Sequence, residues 1–329
     1  MKAHFLDRGS FPSHIKITPP DSLSSWQAFD RTNADQTIAH CQNAEIILTN
    51  KVVISRQHIE QLPHLKLIGV TATGTNNVDL EACRDAGIKV VNATDYGTQS
   101  VAEHVLMLML SLARNLPTYL DSNHNKSWSN SAFFCDWVAP IRLLHNRTLT
   151  IIGHGTLGKA VARLATAFNM KIVIAEHRGA QKTRPGYTPF ELAISQADFL
   201  SLHCPLTSAT ENLINRETLG LMKPSAFLVN TGRGPLVNEQ DLLTVLQQGQ
   251  IAGAALDVTA IEPPPNDSII WQLNTLPNVI ITPHIAWAAD EAMQNLIDQI
   301  MTKIDLFIAG KPFDELTNKR SKIHFLRHN

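Results

Sequence analysis

The stretch that most constrains this chain runs from Leu149 to Glu176. An apolar run, Leu149-Thr150-Ile151-Ile152, enters Gly153-His154-Gly155-Thr156-Leu157-Gly158, and helix-forming residues follow from Lys159 to Ala165. A second β-branched run, Lys171 to Ala175, stops at Glu176, eighteen positions after Gly158. The order is strand, glycine turn, helix, strand. The three glycines serve different ends. Gly153 permits a sharp turn, Gly155 lets the backbone approach a pyrophosphate, and Gly158 lets helix and strand pack closely. The free N–H groups and positive dipole end of the helix then suit phosphates. Glu176 would accept hydrogen bonds from the adenosine ribose hydroxyls and repel the extra phosphate of NADP, so NAD is the expected cofactor.

The rest of the chain repeats the alternation. Strands are expected at Ala3 to Leu6, Glu45 to Thr49, Lys66 to Thr71 and Ile88 to Asn92, with a helix from Val78 to Ala86 closed by Gly87. Beyond the glycine turn four further strands are expected: Phe199 to His203, Ala226 to Asn230, Ala254 to Asp257 and Val279 to Thr282. Asn238 reads as the N-cap of a helix that Gly249 closes. Such a chain predicts an α/β protein of two doubly wound parallel sheets. Val101 to Leu116 is apolar nearly all round and precedes Pro117, so it reads as a helix buried on every face and stopped by the proline. Thr118 to Pro140, with Trp128, Phe133, Phe134 and Trp137, has no period and reads as an irregular arm for dimer contacts. A last helix, Asp290 to Ile308, sets Leu296, Ile297, Ile300, Met301, Ile304 and Phe307 on one stripe. The tail from Lys311 reads as loosely ordered.

Each late strand is followed at once by polar residues: Cys204-Pro205, Thr231-Gly232-Arg233, Asp257 with Glu262, and His284. In a doubly wound sheet ligands bind at the carboxyl ends of the strands, so these residues are expected to converge. Arg233 can grip a carboxylate with its planar fork. Glu262 can hydrogen-bond one ring nitrogen of His284 and favour its protonated form. His284 can then protonate a carbonyl oxygen as hydride arrives from a nicotinamide, and act as base in reverse. Glu103 and His104 read as packing and hinge residues.

These motifs resemble the D-isomer-specific 2-hydroxyacid dehydrogenase family over nearly the whole chain. The matching residues include Thr73-Gly74, Val101-Ala102-Glu103-His104, the glycine turn, His203 to Thr207, Val229 to Gly234, Gly253 to Val258, Glu262-Pro263 and Thr282 to Ala286. The resemblance implies a catalytic trio of Arg233, Glu262 and His284, with Asp257 on the nicotinamide carboxamide. It implies that Thr73 and Gly74, with Arg233 and His284, contact the substrate, and that Cys204, Pro205, Thr210, Thr231 and Gly232 line the cofactor cleft. It further implies a Rossmann cofactor domain at 99–289 and a flavodoxin-like substrate domain from 1–98 plus 290–329, which closes over it. The long helix from Val101 would mediate a homodimer. Within the family, Asp95 to His104 and His284 to Ala288 look most similar to glycerate dehydrogenases, also called hydroxypyruvate reductases, and Trp287 is a candidate to shape the pocket.

Composition matters here chiefly for what it excludes. A net charge of -1 with 17% charged residues argues against nucleic acid and membrane surfaces as partners. Cys41, Cys83, Cys135 and Cys204 lack metal-site spacing and read as reduced thiols in a cytoplasmic protein, with no metal called for. Three alternatives stay open. His177, Arg178, Lys182 and Arg184 could serve a 2′-phosphate. Arg8 could serve a phosphorylated keto acid such as 3-phosphohydroxypyruvate. The fold could also act as an NAD-sensing scaffold of the corepressor kind.

Overall fold

A computed structural model of the chain describes residues 1–317. The chain forms two compact units, one from Met1–Gly97 with the segment from Ala288 onward, the other from Thr98–Trp287. Among the described residues no helix is long and apolar enough to cross a membrane.

The first unit holds a five-stranded parallel sheet of β1 (Lys2–Phe5), β2 (Ser25–Ala28), β3 (Ile46–Thr49), β4 (Leu67–Val70) and β5 (Lys89–Asn92), in the order β2-β1-β3-β4-β5. Every residue of β3 and β4 is buried, as expected where helices cover both faces of a parallel sheet. The helix Asp290–Ile308 lies against β4 and β5. Ile300 fills the space beside Gly69, its Cγ2 only 3.1 Å from where a β-carbon would stand. Five of the six stripe residues are buried. Phe307 is half-buried instead and meets the ring of Phe313 edge-on at 6.0 Å. That contact belongs to the segment expected to be loose. Its described part returns to the sheet, with Leu316 N–H donating to Val90 O at 2.8 Å, and the remainder of the expected tail lies outside the described residues.

The second unit holds β6 (Thr148–Ile152), β7 (Lys171–Ala175), β8 (Phe199–Leu202), β9 (Phe227–Asn230), β10 (Gly253–Leu256) and β11 (Val279–Ile281). All pairings are parallel, in the order β11-β10-β9-β8-β6-β7. The strand order reverses between β6 and β8, so a switch point opens beside the glycine turn. The helix Thr156–Ala167 buries Ala160, Val161 and Ala165 and packs on the helix Thr98–Ala113. The helix Glu239–Gln247 starts at Asn238, whose side chain accepts from Asp241 N–H.

The structure departs from the sequence expectations at two places. The helix Thr98–Ala113 ends before Pro117, at a turn where Asn115 has φ 48°, and Pro117 lies in the first turn of a new helix, Leu116–His124. Proline suits that position because a first-turn N–H has no intrahelical partner to lose. The supposed irregular arm thus begins as a helix. Nor is the long helix buried all round: Val101, Ala102, Val105, Leu108, Met109 and Leu112 are buried, while Met107 is 45% exposed.

Candidate active site

The site begins at the carboxyl edge of the six-stranded sheet. Ile152 pairs with Ala175, so Gly153 and Glu176 leave the sheet side by side. Gly153 has φ 94°, and a β-carbon on it would stand 2.4 Å from Cys204 N; one on Gly158 would stand 2.1 Å from Gly153 O. Neither position can hold a side chain without moving backbone. A β-carbon on Gly155 would meet nothing within 4 Å, which leaves the face of the turn open. Gly155 also caps the helix Thr156–Ala167 without a side-chain bond, so its first-turn N–H groups have no capping partner. Two buried polar atoms stand close in sequence to neighbouring strand ends, His203 Nδ1 and Thr231 Oγ1, and neither has a partner. An open glycine face, uncapped helix N–H groups and orphaned donors suit a dinucleotide's phosphates and sugars. The residues present fit NAD.

Other cofactor-loop residues have structural duties. Thr210 Oγ1 accepts from Thr207 N–H at 2.8 Å and donates to Pro205 O at 2.7 Å, which closes the loop after Cys204. Burial pushes the Cys204 thiol up to about 11, so it is no nucleophile near neutral pH. Gly232 N–H donates to Asn230 Oδ1, and Asn230 Nδ2 donates to Arg233 O, so the end of β9 is braced from within.

Arg233 is exposed, and its Nη1 donates to Gly232 O at 2.7 Å. Among the described residues no carboxylate pairs with it. The next residue explains how Glu262 arrives nearby. A β-carbon on Gly234 would stand 2.0 Å from Thr259 C, so only glycine lets the backbone after β10 lie against the backbone after β9. From that segment Thr259 N–H donates to Glu262 Oε1 at 3.0 Å. The other carboxylate oxygen, Oε2, accepts from His284 Nδ1 at 2.6 Å. Because an ionised carboxylate only accepts, this pair puts the proton on Nδ1 and leaves Nε2 to exchange a proton with a substrate.

His284 sits in the left-handed region, with φ 54°. For a non-glycine residue this costs on the order of 1 to 3 kcal/mol and persists only where surroundings impose it. Asp257 supplies the surroundings. Its backbone carbonyl accepts from His284 N–H at 2.8 Å. Its carboxylate, 1% exposed, accepts from Thr282 Oγ1 at 2.6 Å and from the N–H groups of Ile285 and Ala286 at 2.9 Å each. Trp287 Nε1 closes the turn by donating to His284 O at 3.1 Å. His104, on the helix Thr98–Ala113, lies 3.1 Å from Thr282 Oγ1 and 3.5 Å from Asp257 Oδ1. Thr282 spends its hydrogen on Asp257, so it accepts from His104 Nε2–H. Burial lowers the His104 pKa, partly opposed by the Asp257 charge. Sequence reasoning makes His104 a packing residue and gives Thr282 no role; the only signal for either is its place among the family-like motifs.

Glu176 is 3% exposed and already engaged. Its oxygens accept from His177 N–H, Arg184 N–H, Arg184 Nε and Arg184 Nη2. Thr73 and Gly74 lie in the first unit, after β4, where Asn92 Nδ2 donates to Thr73 O at 2.7 Å.

Residues 106–286 match the profile of the family described as "D-isomer specific 2-hydroxyacid dehydrogenase, NAD binding domain". The chain is 41% identical over 312 residues to the glycerate dehydrogenase of Methylorubrum extorquens, covering 94% of this chain and 97% of that protein. It is 33% identical over 298 residues to the hydroxypyruvate reductase of Blautia hydrogenotrophica, covering 89% and 92%. Among solved structures it is similar to D-lactate dehydrogenase from Aquifex aeolicus complexed with NAD and lactic acid, with a TM-score of 0.78, 27% identity and coverage of 94% and 96%.

Proposed function

The chain belongs to the D-isomer-specific 2-hydroxyacid dehydrogenase family and is an NAD-dependent enzyme of it, and from that membership we propose that it reduces hydroxypyruvate to the D-2-hydroxy acid, with glyoxylate, which gives an achiral 2-hydroxy acid, as a smaller substrate. The observation that carries this reading is the 2.6 Å pair between Glu262 Oε2 and His284 Nδ1 at the strand-end edge that also bears Arg233.

Bound NADH supplies the hydride to the substrate's C2 carbon. Arg233 holds the keto acid's carboxylate, for which its exposed guanidinium suits bidentate contact. His284 donates its Nε2 proton to the carbonyl oxygen, and Glu262 holds the ring in the tautomer and orientation for that transfer. Glu262 also steadies the imidazolium charge before the proton leaves. In the oxidative direction His284 Nε2 receives the hydroxyl proton. We assign Thr73 and Gly74 to the substrate carboxylate as well, on the sequence resemblance.

The choice of hydroxypyruvate is supported by relatives described as glycerate dehydrogenase and hydroxypyruvate reductase. The candidate cation for a phosphorylated substrate is otherwise employed: Arg8 Nη1 donates to Phe11 O at 2.6 Å and Nη2 to Ile15 O at 3.2 Å. A homodimer is supported by exposed apolar residues, with Phe133, Phe134 and Trp137 at 75%, 90% and 73% exposure. The four cysteines are free, which supports a cytoplasmic site of action. The deciding experiment follows initial-rate loss of NADH absorbance against hydroxypyruvate, glyoxylate, pyruvate and 3-phosphohydroxypyruvate. Hydroxypyruvate should give the highest kcat/KM. A clear preference for the phosphorylated acid would overturn the assignment, and silence on all four with tight NADH binding would favour a scaffold.

A further inference from the structure

An acid at the end of the second strand of a dinucleotide fold selects NAD by two means: its oxygens receive the ribose hydroxyls, and its charge repels a 2′-phosphate. Both require the carboxylate to be open and uncompensated. Glu176 is neither. A carboxylate offers about four lone-pair positions, and here the two backbone N–H groups of His177 and Arg184 and the side chain of Arg184 take them. The paired guanidinium cancels the charge, and Arg184 holds the Glu176 carboxyl down at about 2, so the pair persists across the working pH range.

The same guanidinium is set toward the cofactor end of the sheet. Its Cζ lies 3.9 Å from the centroid of the Tyr187 ring, and Tyr187 meets the ring of His154 edge-on at 6.5 Å. His154 is the second residue of the glycine turn, so Arg184 is tied by packing to the loop expected to hold the phosphates. Only Nε and Nη2 are bonded to Glu176, which leaves three of the five guanidinium N–H donors for a further oxyanion. Arg184 is 48% exposed at its side chain. From Glu176 to Thr188 one acid is set against three cations, Arg178, Lys182 and Arg184, and Arg178 is itself paired with Glu217 at 2.6 Å.

We propose that the Glu176–Arg184 pair makes the ribose end of the site neutral in charge and receptive to a 2′-phosphate, so that the chain takes NADPH as well as NADH, with Arg184 as the specificity-determining residue. The proposal rests on the dinucleotide reading of the glycine turn. It assigns the two partners opposite duties: Arg184 contacts the phosphate, and Glu176 positions Arg184 rather than selecting against the phosphate.

The test is equilibrium binding, read by the fluorescence of the reduced nicotinamide, of NADH and NADPH to the wild-type chain, Arg184→Ala and Arg184→Lys. The wild type should hold NADPH within about tenfold of NADH, because the repelling charge is cancelled. Arg184→Ala exposes an unpaired carboxylate, and should raise the ratio of the NADPH to the NADH Kd by roughly tenfold or more. Arg184→Lys, which keeps the charge and loses the fork, should fall between. Adenosine 2′,5′-bisphosphate should displace NADPH from the wild type and lose affinity in Arg184→Ala in the same proportion. A wild type that discriminates against NADPH by more than about a hundredfold, with a ratio that Arg184→Ala leaves in place, would overturn the proposal. Binding of neither dinucleotide would overturn it together with the cofactor reading beneath it, and only that outcome would touch both.

Discussion

Replacing Asp257 by asparagine probes how His284 is held. The buried carboxylate accepts three hydrogen bonds, from Thr282 Oγ1, Ile285 N and Ala286 N. The amide keeps the shape but offers one accepting oxygen and one donating nitrogen. If the oxygen serves Thr282 and Ile285, the amide nitrogen faces Ala286 N–H, donor against donor. If it is flipped, Ile285 N–H is orphaned instead. Leaving one backbone N–H unpaired in a residue as buried as Ala286, 3% exposed, costs about 1 to 3 kcal/mol. The surviving bonds lose their charge assistance, roughly half their strength, or about 0.5 to 1 kcal/mol each. The sum is about 2 to 5 kcal/mol, and the left-handed turn at His284 loses the contacts that impose it. Urea unfolding followed by tryptophan fluorescence measures the first effect, since Trp287 is bonded to His284 O within that turn. The second is a fall in kcat. A loss of stability below about 0.5 kcal/mol would refute the reasoning, because it would mean the three donors find other partners at little cost.

Further outcomes follow from the same geometry. His284→Ala should lower kcat by about 10² to 10⁴, the usual worth of a positioned proton donor, while a nicotinamide-fluorescence titration still detects NADH binding. Glu262→Gln keeps an accepting oxygen for Nδ1 but not the charge that steadies the imidazolium, so kcat for keto-acid reduction should fall by about tenfold or more in initial-rate assays while the keto-acid KM moves little. Arg233→Lys should raise the keto-acid KM by about tenfold or more through loss of the bidentate grip. His203 is half-buried with its Nδ1 enclosed, and desolvation lowers it to about 4, so its neutral form is the one that folds. Between its ordinary 6.5 and about 4 the unfolded chain takes up a proton that the native chain refuses, and stability falls as pH falls through that window. The loss should reach on the order of 3 kcal/mol below pH 4, and His203→Asn should flatten that limb of the urea midpoint against pH.

Much of the architecture was legible because its signals are local. The β6 to β7 unit announces itself by apolar runs, three glycines and a terminal acid in fixed order, and the Asn238 cap needs only three residues of context. Arg233, Glu262 and His284 could be grouped because each follows a strand end, and parallel strands of one sheet bring such ends to one edge. Arg184 could not be placed that way. It lies eight residues beyond Glu176 on an irregular loop, and sequence distance does not tell a side chain that folds back from one that faces solvent. The service of Asp257 to His284 was hidden for a related reason, since its three bonds follow from backbone N–H groups that exist at every position. The edge strand Ser25–Ala28 escaped because it is mostly exposed and only four residues long, too short for its alternation to stand out. Pro117 was misread because a proline can open a helix as well as end one.

The central claim, hydride transfer to a keto acid with His284 as proton donor, is tested most directly by following the label. Hydroxypyruvate is incubated with NADH deuterated at the transferring position of the nicotinamide, and the glycerate formed is analysed by mass spectrometry and chiral chromatography. The account expects deuterium at C2, the D configuration, and loss of product formation in His284→Ala. Product without deuterium at C2, or of L configuration, would contradict it.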